Sequence, residues 1–225
     1  MMKAAVHALT GLLSLTGLAV AQAADIPLYP TGPSEDSAFL RFVNASESPL
    51  QLTAAGSGAS LRLEGEQRVS DFLTVPADKS VQGSLSLGEQ QHALDVSVAP
   101  GEFASVVAIA QADQPLQVLT VREQPDDFNA LKASLAFYSL DAQCVDAGLQ
   151  VAGRSVDIFK AVATGSLERR SINPLNLSVQ LRCAGAAVGE PLALGDLAAG
   201  QRYTLFLVPS AQGPRLFQAL DNLAN

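Results

Sequence analysis

A side chain able to accept a proton at neutral pH is scarce in this chain. Two histidines occur, His7 and His92. His7 falls in an amino-terminal apolar segment expected to be removed, so histidine-based chemistry would rest on His92. That residue sits in EQQHALDV, a polar turn entering a strand. A Ser-His-Asp triad is recognised by geometry, so spacing alone does not exclude it. But no GxSxG elbow and no GDS-type block supplies a nucleophile, and GSGAS at 56–60 reads as a flexible turn. His92 therefore reads as a surface residue, and no catalytic residue is assigned.

Acidic pairs do not select a site either. Glu35 with Asp36, and Asp126 with Asp127, lie in loop-like stretches where carboxylates are solvated. No EF-hand, phosphate-binding glycine loop or dinucleotide fingerprint is present. One segment stands out: GSLERRSINP, residues 165–174, which reads as a loop before a strand beginning near Leu175. Arginine forks suit carboxylates. Arg169, Arg170 and Asn173 are accordingly the candidate contact for an anion or a partner, against the plainer reading of a solvated turn.

Cys144 and Cys183 are the only cysteines. In an oxidising compartment an even pair most simply forms a disulfide, which would stabilise the fold by about 4 kcal/mol. Two free buried thiols are the alternative. With no third cysteine and no histidine nearby, a thiolate zinc site is excluded, and no metal is expected.

The elements that must position these residues follow from composition and repetition. Lys3, the apolar run ALTGLLSLTGLAV at 8–20 and Ala21-Gln22-Ala23 have the layout of a cleaved signal peptide spanning 1–23. The run is too short for a good membrane span and no second one follows, so the mature chain is expected not to cross a membrane. Net charge is −8 overall. Residues 24–130 hold 15 acidic and 5 basic side chains, whereas residues 131–225 hold 7 and 8. That balance argues against nucleic acid, whose phosphates are bound by neutralising them.

AFLRFVNAS at 38–46 returns as ASLAFYSLD at 133–141, an offset of 95. SLRL at 60–63 matches SVDI at 155–158, and VAPGEFASVVAI at 98–109 resembles LAAGQRYTLFLVP at 197–209. A period this long indicates a duplicated small domain. Within each copy, period-two alternation puts Leu40 with Phe42, and Leu135 with Phe137, on a common inner face. Short β-branched runs separated by turn formers predict about seven strands per unit. The fold class is all-β: two tandem antiparallel β-sandwich domains after the signal. The expected boundaries are an extended lead-in at 24–37, an N-terminal sandwich at 38–121, a linker at 122–132 around Pro125, and a C-terminal sandwich at 133–225. Only DDFNALK and the tail FQALDNLAN invite short helices. The disulfide would clip the exit of the second copy's first strand to the strand LNLSVQLRC.

The blocks DIPLYPTGPSEDSAFLRFVNAS, SDFLTVPA, NALKASLAFYSLD and RRSINPLNLSVQL resemble the AlgF family of alginate biosynthesis proteins. The resemblance covers essentially the whole mature chain, in the family's order. Its most specific parts are Leu28-Tyr29, the strand around Arg41, Phe42 and Asn44, and Arg170-Ser171-Ile172-Asn173-Pro174. It implies a periplasmic protein required for O-acetylation of the exopolysaccharide alginate. In that family acetyl transfer is attributed to SGNH-type acetyltransferases, with this member a non-enzymatic mediator of their interactions and no cofactor. The family's folds are likened to carbohydrate-binding modules, so direct alginate contact is the alternative. Two features weigh against it: tryptophan is absent, and an acidic chain is repelled by a polyanion.

Overall fold

The computed structural model describes residues 36–111, 114–124 and 129–224. The expected signal at 1–23, nearly all of the lead-in, and Glu35, Asp126 and Asp127 lie outside them.

Sixteen strands are present among the described residues. The first eight are β1 Ser37–Asn44, β2 Leu50–Ala54, β3 Ser60–Leu63, β4 Leu73–Pro76, β5 Val81–Leu87, β6 Gln90–Val96, β7 Phe103–Ile109 and β8 Gln117–Glu123. The second eight are β9 Ala133–Ser139, β10 Ala147–Val151, β11 Asp157–Val162, β12 Ser166–Ile172, β13 Leu175–Cys183, β14 Ala186–Leu197, β15 Arg202–Val208 and β16 Arg215–Leu220. They form four sheets, ordered β4-β1-β7-β8 and β3-β2-β5-β6 in the first half, β12-β9-β15-β16 and β11-β10-β13-β14 in the second. Adding eight to each label of the first half gives the second, so the sequence repeat is a repeat of topology. Each half is a β-sandwich of eight strands, against the seven or so expected. Pairing is antiparallel except between β1 and β7 and between β9 and β15.

The duplication extends to single hydrogen bonds. Gly101 N–H donates to Ser37 O at 2.9 Å, and Gly200 N–H donates to Lys132 O at 2.9 Å. Both glycines have φ near +70° (71° and 75°), a conformation that a side chain would strain, which explains why APGE and AAGQR keep glycine at the same place.

Two cores follow from the inner faces. Leu40, Phe42, Leu50, Leu85 and Val106 fill the first sandwich. Leu135, Phe137, Phe159, Val179 and Leu205 fill the second. A third cluster lies between the sheets β4-β1-β7-β8 and β12-β9-β15-β16, made of residues from both halves: Val43, Val107, Val121, Tyr138, Phe206 and Val208 among them. The central strands are therefore covered on both faces, and every residue of β9 is buried.

Cys144, just after β9, and Cys183, the last residue of β13, form the expected disulfide, with Cα atoms 4.8 Å apart. Three local expectations are corrected. The tail is not helical: Arg215–Leu220 pair with β15, because alternation lets Phe217 stack on Phe206, centroids 5.2 Å apart. The segment 165–174 is mostly strand, not loop, since β12 pairs residue for residue with β9. Strand β8 runs through Arg122 and Glu123, inside the stretch read as connection.

Candidate functional site

Polar and charged side chains collect in the seam between the sandwiches. Arg41 projects from β1 on the face opposite Leu40 and Phe42, and is fully buried. Its Nε donates to Ser105 Oγ at 2.7 Å, Nη1 to Asp221 Oδ1 at 2.6 Å, and Nη2 to Thr204 Oγ1 at 3.1 Å. Its guanidinium carbon lies 4.3 Å from the ring centre of Phe72, 5.1 Å from Phe206 and 5.5 Å from Tyr138, in the range of cation–π attraction.

Asp221, just past β16, also accepts from Thr204 Oγ1 at 2.7 Å and from Arg169 Nη2 at 2.9 Å. Arg169 Nη2 donates onward to Glu123 Oε2 at 3.0 Å, its Nε pairs with the other oxygen, and its Nη1 reaches Ser134 Oγ at 3.2 Å. Arg202 completes the row, 3.6 Å from Glu123. The chain of charges runs Arg41–Asp221–Arg169–Glu123–Arg202. Arg41 and Glu123 come from the first sandwich, Arg169, Asp221 and Arg202 from the second, so both halves give cations and anions across the seam. Tyr138 Oη lies 3.3 Å from Ser105 Oγ and donates to Glu123 Oε2 at 3.4 Å.

The electrostatics follow from this alternation. Burial is the largest influence on Asp221 and favours its neutral form, but Arg41, Arg169 and the Thr204 hydroxyl together hold its carboxyl below the usual range. Burial pulls Arg41 down most strongly, and the pairing with Asp221 outweighs it, so the guanidinium stays charged. Arg169 is likewise raised, burial opposing Glu123 and Asp221. Burial, the largest effect on Tyr138, pushes its phenol above its ordinary value. A general acid or base works best with a pKa near the operating pH. Asp221 and Tyr138 are both displaced away from neutrality, and the paired groups fasten two sheets together.

The sequence-selected residues scatter. Neighbours on a strand point to opposite faces, and that separates Arg169 from Arg170. Arg169, a candidate for an anion or a partner, enters the seam, where its side chain is 6% exposed and the anions it meets are Glu123 and Asp221 of this chain. Arg170 is exposed, 5.9 Å from the Phe159 ring centre. Asn173 is exposed and accepts from Lys132 Nζ at 2.8 Å. His92 lies on the edge strand β6 opposite Leu85, exposed and apart from the charged row. Among the described residues no three of His, Cys, Asp and Glu stand together as metal ligands would.

Sequence reasoning missed Arg41, Glu123, Tyr138 and Asp221. The available signal was the second face of the opening strand, Phe39-Arg41-Val43-Ala45, too apolar for a solvent face and matched by Ala136-Tyr138-Leu140 in the repeat.

The family described as "Alginate O-acetyl transferase AlgF" matches residues 10–204. The alginate biosynthesis protein AlgF of Pseudomonas putida is 26% identical over 184 residues, covering 81% of this chain and 79% of that protein. The C-terminal domain of AlgF from P. aeruginosa aligns with 40% of this chain and 98% of its own length, at 23% identity and a TM-score of 0.34. With the family match running through both sandwiches, the chain belongs to the AlgF family and is related to alginate acetylation.

Proposed function

We propose that this protein is a non-enzymatic periplasmic adaptor that mediates interactions among the enzymes O-acetylating alginate, its partners being SGNH-type acetyltransferases. The observation that carries the reading is the charged seam. Its hydroxyls, carboxylates and guanidiniums bond to one another, with Asp221 held below and Tyr138 above the ordinary value of its group. Two sandwiches so joined make one body with several sheet edges that no strand among the described residues covers, and such edges are surfaces onto which partners add strands. Arg170 and Asn173 remain exposed contacts on that body.

Co-purification tests it. The full chain, expressed in the periplasm with the alginate O-acetyltransferases, is expected to retain at least one of them through washing, and to transfer no acetyl group to alginate when incubated alone with a donor. Recovery of no acetyltransferase, or acetylated polymer made by the chain alone, rejects the adaptor reading.

Direct alginate binding is the second reading, favoured by the neutral amides and hydroxyls on the outer sheets. Gln51 stands opposite Ser86, Thr53 opposite Ser84, and Gln150 opposite Gln180. Calorimetric titration with alginate oligomers at low salt decides it: absence of heat removes it.

A further inference from the structure

Among the described residues β16 is the last strand of its sheet, with β15 on one side and no strand on the other. Its register fixes which backbone groups face outward. Asp221 N–H donates to Arg202 O at 2.9 Å, and Ser210 and Gly213 exchange hydrogen bonds at 3.1 Å. Odd-numbered residues of β16 therefore bond to β15, and Leu216, Gln218 and Leu220 direct N–H and C=O to the open side. Farther along, the same open side already accepts backbone from the first sandwich. Phe72 N–H donates to Asn222 O at 2.8 Å, and Ala224 N–H donates to Phe72 O at 2.9 Å. Before Phe72 the chain turns away to β1, through Asn44 N–H to Arg68 O at 2.8 Å and Ser70 N–H to Phe42 O at 3.0 Å. A groove of about 920 Å³ opens between, lined by Arg68, Val69, Leu192, Arg215, Phe217 and Leu220.

Two arginines line this groove and give its wall positive charge. Arg68 lies 5.2 Å and Arg215 5.7 Å from the ring centre of Phe217. Arg68 donates from Nε to Gly65 O at 2.9 Å, while its Nη1 is buried with no acceptor among the described residues. Arg215 donates to Ala45 O at 3.1 Å and pairs with Glu47, but its Nε is buried and unmatched among the described residues. A buried donor without an acceptor costs about 1–3 kcal/mol. Glu47 is 67% exposed, so its pairing with Arg215 is readily exchanged. Glu66 is the carboxylate at the rim, and it is exposed.

We propose that this groove is a docking site for an extended, acidic peptide segment of a partner protein, which adds to the open edge of β16 as a strand and sets its carboxylates against Arg68 and Arg215. The proposal deepens the adaptor reading and rests on it. Main-chain bonds to Leu216, Gln218 and Leu220 would supply affinity, and the arginines would select charge. A peptide is favoured over a polyuronate because the groove offers a backbone edge, which a sugar chain cannot match in register.

Hydrogen exchange on the full chain tests it. The probe is a peptide of alternating threonine and glutamate about ten residues long, a strand's length. Saturation is expected to slow exchange of the Leu216, Gln218 and Leu220 amides about tenfold, with no effect from a threonine–lysine counterpart. Arg68→Gln with Arg215→Gln should weaken binding about tenfold or more, the loss of charge-assisted bonds. Gln218→Pro, which removes only an outward N–H, should weaken it without disturbing the β15 ladder. Unprotected edge amides, or equal binding of the lysine peptide, overturn the proposal. So does an oligomannuronate that displaces the glutamate peptide while leaving those amides unprotected. Co-purification separates the two readings. An acetyltransferase retained equally by wild type and by Arg68→Gln and Gln218→Pro rejects the groove and spares the adaptor. No retention by wild type rejects the adaptor and, with it, the partner that the groove requires.

Discussion

The second sandwich carries a covalent closure that the first lacks. Cys144–Cys183 ties the exit of β9 to the end of β13, while the matching turn of the first sandwich, Gly88-Glu89, has no cysteine. The first sandwich draws on its neighbour instead. Arg41 is anchored by Asp221 and Thr204, Phe72 by the backbone of Asn222 and Ala224, and Ala45 and Glu47 by Arg215. Copies with the same topology are thus held by different means, one stapled internally and the other leaning on the seam. That dependence explains why a duplicated fold keeps charged residues between its halves.

Cutting the seam from the first sandwich's side should have the largest effect. Arg41→Ala leaves Asp221 and Thr204 facing a cavity with one fewer cation, and strips a guanidinium from three aromatic rings. Removing one partner of a buried ion pair costs about 3–5 kcal/mol. Urea unfolding followed by circular dichroism should show that loss. Pairing Arg41→Ala with Asp221→Ala should cost less than the sum of the single changes, because they share one interaction. Full additivity would mean that the seam does not couple the halves.

Removing the staple is expected to come next. Cys144→Ala with Cys183→Ala opens a loop with a sequence separation of 39, worth about 4 kcal/mol in the chain-entropy model and commonly less in measurement. Calorimetry should place the loss in the second sandwich. If the first leans on the second, its amides should lose protection as well, and unaltered exchange there would show that the seam survives without a firm neighbour.

How much of this was legible in the sequence depends on which face of a strand is considered. Leu40 with Phe42, and Leu135 with Phe137, announced the inner faces through period-two alternation, and the 95-residue offset announced the repeat. The cysteines announced their bond. What stayed hidden was the other face. Arg41 in an alternating strand looks solvent-bound until Phe39, Val43 and Ala45 beside it are weighed, and only packing of one sandwich on the other decides the matter. Arg169 and Arg170 form one feature in the sequence because they are adjacent, yet adjacency on a strand sends side chains apart. The tail FQALDNLAN has local helix propensity, but pairing with β15 and stacking on Phe206 override it. Asp221 carried no local signal, since its partners lie 180, 52 and 17 residues away.

The smallest of the three effects is one of pH, and it separates the seam from the staple most cleanly. Asp221 is ionised in the folded protein at a pH where the unfolded chain's aspartates, near 3.9, are taking up protons. A group whose folded pKa is depressed contributes stability above its unfolded value and loses it as pH falls through the folded one. The charge-paired part of the seam should therefore be intact above about pH 4 and weaken below it, as Asp221 is neutralised while Arg41 and Arg169 stay charged and face each other across it. Asp221→Asn mimics the protonated state at every pH. It should be less stable than wild type at neutral pH, with the difference narrowing on acidification. Urea midpoints collected from neutrality to about pH 3 would show two curves converging. The disulfide does not titrate in this range, so the double cysteine variant should run parallel to wild type through the same window. Parallel curves for Asp221→Asn as well would mean that its carboxylate is not what the arginines hold.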